Sequence, residues 1–138
     1  MLHHGRFLLC CVALLALIGC SGESDRQSLE GTVTLDGEPL TEGSITFRPM
    51  PGTEGPTAGG PIRDGQFSIA SDQGTFAGTF RVEISAHKKT GRKIPGALGG
   101  EVDETVSIIP ERYNRQSELT ADVEKGVANE FEFKLTAQ

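Results

Sequence analysis

The sequence predicts an all-β chain, a seven-stranded Greek-key β-sandwich. Three observations carry this. Apolar residues recur at every second position from Leu29 onward, the pattern of half-buried strands. Turn dipeptides rich in Gly and Pro separate these runs. No segment of that region sustains a period of 3.6, so helices are not expected to cover a sheet, and two sheets must cover each other.

The first element is a leader. Residues 1–19 begin with one cation near the start, Arg6, followed by an uncharged apolar run from Phe7 to Ile18. A bilayer-spanning helix needs ~20 apolar residues, so this run fits the core of a secretory signal peptide instead. Its end, Leu17-Ile18-Gly19-Cys20, resembles the bacterial lipobox. The resemblance implies a diacylglyceryl group on the Cys20 sulfur, cleavage before Cys20 and acylation of the new amine. The alternative is an ordinary secretory signal in which Cys20 is incidental. Cys10 and Cys11 lie inside the apolar run and depart with it. A mature chain beginning at Cys20 therefore has no thiol pair for a disulfide, and its stability must come from packing. Residues 20–28 read as a short polar tether, and 29–138 as one domain, within the usual size range.

The strands follow in order. Leu29, Val33 and Leu35 share one face. Ile45 and Phe47 come next, then Phe67 and Ile69, then Phe80, Val82 and Ile84. Val106 and Ile108 form a fifth group, Leu119, Ala121 and Val123 a sixth, and Phe131, Phe133 and Leu135 the last. Asp36-Gly37 and Asp64-Gly65 mark tight turns, where Gly tolerates positive φ. Phe47, Phe67, Phe80, Phe131 and Phe133 all fall on inward positions and read as core. Two connections are long. Pro49 to Pro61 mixes stiff Pro with free Gly, as either a crossover along an edge strand or a flexible tip. Ala86 to Glu104 has no strand signal, and a loop of that length is usually functional or disordered.

Gly31-Thr-Val-Thr-Leu-Asp-Gly-Glu-Pro-Leu40 with Gly43-Ser-Ile-Thr-Phe47 resembles the opening hairpin of carboxypeptidase regulatory-like domains. Asp64-Gly-Gln-Phe-Ser-Ile69 and Gly78-Thr-Phe-Arg-Val-Glu-Ile84 resemble their continuation. The segments GPTAGGPI at 55–62 and IPERYN at 109–114 are similar to small lipoproteins of planctomycete bacteria. The resemblance spans roughly 29–135. It implies a transthyretin-like (prealbumin-like) sandwich, and it rests on turn glycines and core positions, which specify a fold more than an activity.

Composition narrows the chemistry. The net charge is −6 and there is no Trp and one Tyr. An acidic chain is a poor partner for nucleic acid, which needs clustered positive charge. Beyond the leader the single histidine is His87, set in His87-Lys-Lys-Thr-Gly-Arg-Lys93. Its near neighbours include no carboxylate to orient the ring, and one His cannot furnish a His-rich metal site. The enzymes that share the transthyretin-like sandwich are similar in fold alone. Hydroxyisourate hydrolases use several His and Arg and a Tyr-Arg-Gly-Ser tail. Intradiol dioxygenases bind iron through two Tyr and two His. Neither set is present, so no catalytic residue, cofactor or metal is expected. Glu101, Asp103 and Glu104 cluster, but without the calcium-loop spacing, and read as a solvated acidic run. Tyr113 reads as a plug at one end of the sandwich, its hydroxyl bonded to backbone.

Lys88, Lys89, Arg92 and Lys93 form a local positive patch on an acidic protein. They read either as a contact for an anionic surface, such as lipid headgroups or an acidic polymer, or as a solvated loop. The expected function is that of an exported lipoprotein. It would be held to a bacterial membrane (outer membrane or periplasmic face) through Cys20, carrying a non-catalytic cell-envelope interaction or structural module. Its partners would be that membrane and an envelope protein or polymer. The alternative is a ligand-binding module for a glycan or an exported peptide, the latter by addition of a strand to a sheet edge.

Overall fold

The computed structural model describes residues 25–138. The leader at 1–19, with Leu17, Ile18 and Gly19, lies outside the described residues, as do Cys20 and the tether as far as residue 24. The rest is all β: β1 (Leu29–Leu35), β2 (Glu38–Pro39), β3 (Glu42–Pro49), β4 (Ala58–Arg63), β5 (Gln66–Ile69), β6 (Gly78–Ser85), β7 (His87–Pro95), β8 (Glu101–Ser107), β9 (Thr120–Val123) and β10 (Glu130–Leu135), with single 3₁₀ turns at Ser71–Gln73 and Glu111–Tyr113.

Seven strands form one path in the order β10-β1-β5-β4-β3-β6-β9, with β2 appended to β1. Neighbours run antiparallel except β1 and β10, which are parallel. The path folds over on itself. Phe47 on β3 lies four strands from β10 along the path, which would be ~19 Å in a flat sheet at ~4.8 Å per strand. Its ring centroid is nevertheless 5.8 Å from Phe131 and 6.5 Å from Phe133. The fold-over falls at the β4–β5 hairpin, where the two strands share only the pair Arg63↔Gln66. The result is sandwich-like, with Phe47, Phe80, Ile45, Ile84, Val33 and Leu29 fully buried between the layers.

The two Asp-Gly turns take the geometry read from the sequence. Asp36 and Gly37 have φ of 52° and 85°, Asp64 and Gly65 of 50° and 75°, the paired left-handed conformations that match strand twist. They also grip each other's flanks. Asp64 N–H donates to Thr41 O and Gly65 N–H to Leu40 O, each at 2.8 Å, while Val33 N–H donates to Gly65 O at 2.8 Å.

Two expectations are corrected. The path has seven strands, but not the predicted seven. β4 is present where the Pro49–Pro61 segment read as a loop, and the Val106–Ile108 strand is not part of the path. β4 reads AGGPIR, so glycine and proline hide its alternation. Yet Ala58 and Ile62 are buried, and a Cβ on Gly59 would sit 2.8 Å from Ile45 O, so close approach to β3 requires the glycine. Secondly, 86–104 is not structureless. It supplies β7 and most of β8, a separate two-stranded sheet. Val106 is 48% exposed on it, and Ile109 enters the core in its place.

Candidate functional site

The β7–β8 hairpin is the feature that a compact sandwich does not need. All nine residues of β7 are exposed, and β8 has no buried residue. Its register carries His87↔Ser107, Lys88↔Val106, Lys89↔Thr105, Lys93↔Asp103 and Ile94↔Val102, with an irregularity between Lys89 and Lys93. Because side chains alternate across a strand, residues 102, 104 and 106 take one face and 101, 103, 105 and 107 the other.

That alternation splits the acidic cluster. Asp103 receives Lys89 Nζ at 2.7 Å and Lys93 Nζ at 2.5 Å. Glu104, on the opposite face, accepts from Arg92 Nε and Nη2 at 2.8 and 2.7 Å and from Thr90 Oγ1 at 2.6 Å. Hydrogen bonds from Lys89 and Lys93 hold the Asp103 carboxyl below its ordinary range, and those from Thr90 and Arg92 do the same for Glu104. Lys89 is raised in turn, mainly by Asp103. Neighbouring carboxylates on opposite faces do not converge on one ion. Among the described residues no group of three His, Cys, Asp or Glu is placed to hold a metal.

The four cations predicted as a patch all lie on β7 but are split between its faces, Lys89 and Lys93 with Asp103 and Arg92 with Glu104, and three of them are engaged. Lys89, Arg92 and Lys93 are paired within the hairpin, while Lys88 has no ion pair among the described residues. Four cations against three carboxylates leave little net field for an anionic surface. The sequence did not reveal that the ribbon leaves apolar residues exposed, on the face that also carries Glu104. Ile94, Val102 and Val106 are 40–48% exposed, and Leu98 at the tip is fully exposed. Ile94 and Val102 are direct cross-strand partners, a signal visible in the sequence only once the register is known.

His87 opens β7 and is exposed. Among the described residues no carboxylate is hydrogen-bonded to its ring. Tyr113 packs partly against the core, and its hydroxyl accepts from Thr136 N–H at 3.3 Å and lies 3.2 Å from Thr136 Oγ1. The Arg112 guanidinium stands 4.8 Å above the ring. Hydrogen bonds from Thr136 and Arg112 lower the phenol to about 8. The contacts are those of a plug at the sandwich end.

A second concave surface runs along β1 and β5. It is an open depression of about 530 Å³, lined by Glu30, Pro61, Arg63, Gln66, Phe67 and Glu130, among others. Arg63 makes no ion pair among the described residues. By contrast, the outer face of β3 and β6 is closed by a charge triad that the sequence did not reveal. Arg48 and Arg81 are cross-strand partners, and Glu83 accepts from both at 2.8 Å. Burial raises the Glu83 carboxyl, and the hydrogen bonds from Arg48 and Arg81 outweigh it, so the net shift is downward.

Among the described residues no helix is long and apolar enough to cross a membrane. No family model, no curated protein and no solved structure matches the chain.

Proposed function

We propose that the chain is an exported lipoprotein, held to a bacterial membrane by acyl groups on Cys20, whose sandwich is a non-catalytic interaction or structural module of the cell envelope. In this reading the domain is a Greek-key, transthyretin-like sandwich of the carboxypeptidase regulatory-like kind. The observation that carries the interaction role is the hairpin. A two-stranded ribbon is marginally stable alone in water, and this one leaves Ile94, Leu98, Val102 and Val106 uncovered. Two acyl chains hold far more firmly than one, at ~0.8 kcal/mol per buried methylene, so the anchor is expected to be stable.

The test is fractionation of cells expressing the wild type and Cys20→Ser, each with a photo-crosslinking residue at position 98. The wild type should stay in the membrane fraction, incorporate labelled fatty acid and give a discrete crosslinked species. Cys20→Ser should lose both membrane retention and label. A variant that remains acylated and membrane-bound overturns the anchor. A wild type that yields no crosslink from position 98 in intact cells overturns the interaction role.

A second reading, a binding module for a glycan or an exported peptide, draws on the groove along β1 and β5, whose lining mixes Phe67 and Pro61 with polar side chains. There the Arg63 guanidinium, which makes no ion pair among the described residues, offers donors to a carboxylate or hydroxyl.

A further inference from the structure

The two ends of the sandwich are distinguishable, and the tether is attached to one of them. Asp25, the first described residue, pairs with Lys125 at 2.6 Å. Gln27 N–H donates to Thr75 O at 2.6 Å, and Gln27 Oε1 accepts from Gly126 N–H at 2.9 Å. β6 begins at this end, where Gly78 pairs with Val123. β1 begins here too, since Glu30 N–H donates to Asn129 O at 3.0 Å. Both strands run away from it. β6 ends at Ser85, two residues before the hairpin, and β1 ends at Leu35, which lines a hollow with His87 and Lys88. The hairpin therefore leaves from the end opposite Asp25.

Resting on the lipid-anchored reading, we infer that the protein stands on its Asp25 end, with the Lys125–Asn129 turn and Phe76 toward the lipid surface and the β7–β8 hairpin directed away from it. The length of chain fixes the contact. Five residue steps from Cys20 to Asp25 span at most ~18 Å, while the seven steps of β6 alone separate the two ends by ~23 Å at ~3.3 Å per residue. The occupant of this end is the bilayer that carries the Cys20 acyl chains. Val127 and Phe76 lie here, 51% and 36% exposed. Asp25, Asp72 and Glu124 lie here too, with Arg26 donating to Asp72 O and Lys125 to Asp25, so acids outnumber cations, the surface offers no net positive charge to anionic headgroups, and the covalent tether supplies the proximity. One consequence bears on the two readings of the cation patch: Lys88, Lys89, Arg92 and Lys93 stand away from the headgroups of the anchoring membrane, which leaves an acidic polymer or solvent as what they meet.

The experiment uses the acylated full chain, purified from membranes and reconstituted in vesicles of phosphatidylethanolamine and phosphatidylglycerol. The sulfur of Cys20 is then a thioether, so an introduced cysteine is the single labelling site. Val127→Cys, Phe76→Cys and Leu98→Cys each carry a fluorescent donor, and the lipid carries the acceptor. Mass spectrometry first establishes the acyl groups, and circular dichroism the fold. Energy transfer from positions 127 and 76 should exceed that from position 98 several-fold and stay constant when salt is raised. Equal or greater transfer from position 98 in an acylated protein overturns the orientation alone. A Cys20 peptide without acyl mass overturns the anchored reading and the orientation with it. Phe76 and Val127 report the same end independently, so failure of one variant to fold leaves the other to decide.

Discussion

The path of seven strands, antiparallel but for β1 and β10, and the antiparallel β7–β8 hairpin are both β-structure, yet different forces hold them. Along the path, alternate residues are buried against the facing layer, and Phe47 touches Phe67, Phe131 and Phe133 at once. In the hairpin no residue is buried, and the side chains bond across the ribbon as Lys89–Asp103–Lys93 and Arg92–Glu104–Thr90. Burial of apolar surface contributes ~25 cal/mol per Å², whereas exposed ion pairs contribute about 0–1 kcal/mol each. Stability should therefore reside in the path, and the hairpin should be free to change without unfolding it.

The largest effect separating the two regions is expected at Phe47. It is fully buried and meets three rings from β5 and β10, so truncation empties the contact between the layers. Phe47→Ala should cost ~3–5 kcal/mol, a large part of the ~5–15 kcal/mol usual for a domain. Urea denaturation checks it. A loss below ~1 kcal/mol would mean that the layers are not closed through that ring.

A smaller effect is expected at the outer face of the same path. Arg48 and Arg81 oppose each other across β3 and β6, and like charges directly opposite destabilise a sheet. Glu83 removes that repulsion, and its side chain is only 14% exposed. Its folded-state carboxyl lies below the ordinary range, so it binds fewer protons folded than unfolded where the two states differ. The stability it contributes is full above the ordinary carboxylate range and is lost as pH falls through the lowered value. Glu83→Gln should cost ~1–3 kcal/mol at neutral pH, the usual range for hydrogen bonds to charged groups. It should also flatten the acid limb of stability against pH, while the wild type keeps its slope.

These contrasts explain what the sequence revealed. Phe47, Phe67, Phe80 and Phe133 advertise themselves because each alternates with a polar neighbour on a half-buried strand, and all four are in the core. Phe131 follows the same rhythm and is only partly buried. β4 stayed hidden because Gly59, Gly60 and Pro61 carry no apolar signal, although the close approach to β3 demands a residue without a side chain. β7 stayed hidden because nothing on it is buried, so there is no inward face for a period to report. Asn129 and Ser117 were invisible for a different reason. They are buried polar residues whose partners lie at other positions of a turn or strand: Asn129 Nδ2 donates to Glu124 O, its Oδ1 accepts from Glu124 N–H, and Ser117 Oγ donates to Val82 O. Composition and spacing do not encode such pairings.

The smallest effect is expected inside the hairpin, and it sharpens the comparison most. Asp103 is the hub of one face, bonded to Lys89 and Lys93. Replacing it with Asn keeps the shape and removes the charge. The two lysines are 73% and 57% exposed at their side chains, so water takes over their solvation at little cost. Asp103→Asn should therefore change global stability by no more than ~0.5 kcal/mol. It should still loosen the ribbon, raising amide hydrogen exchange in β7 and β8 while exchange in β3 and β6 is unchanged. Moderate salt should reproduce that local effect in the wild type by screening the same pairs. If Asp103→Asn instead lowered the unfolding midpoint as Glu83→Gln does, the ribbon would belong to the cooperative unit of the path, and the division between a packed body and an independent arm would be lost.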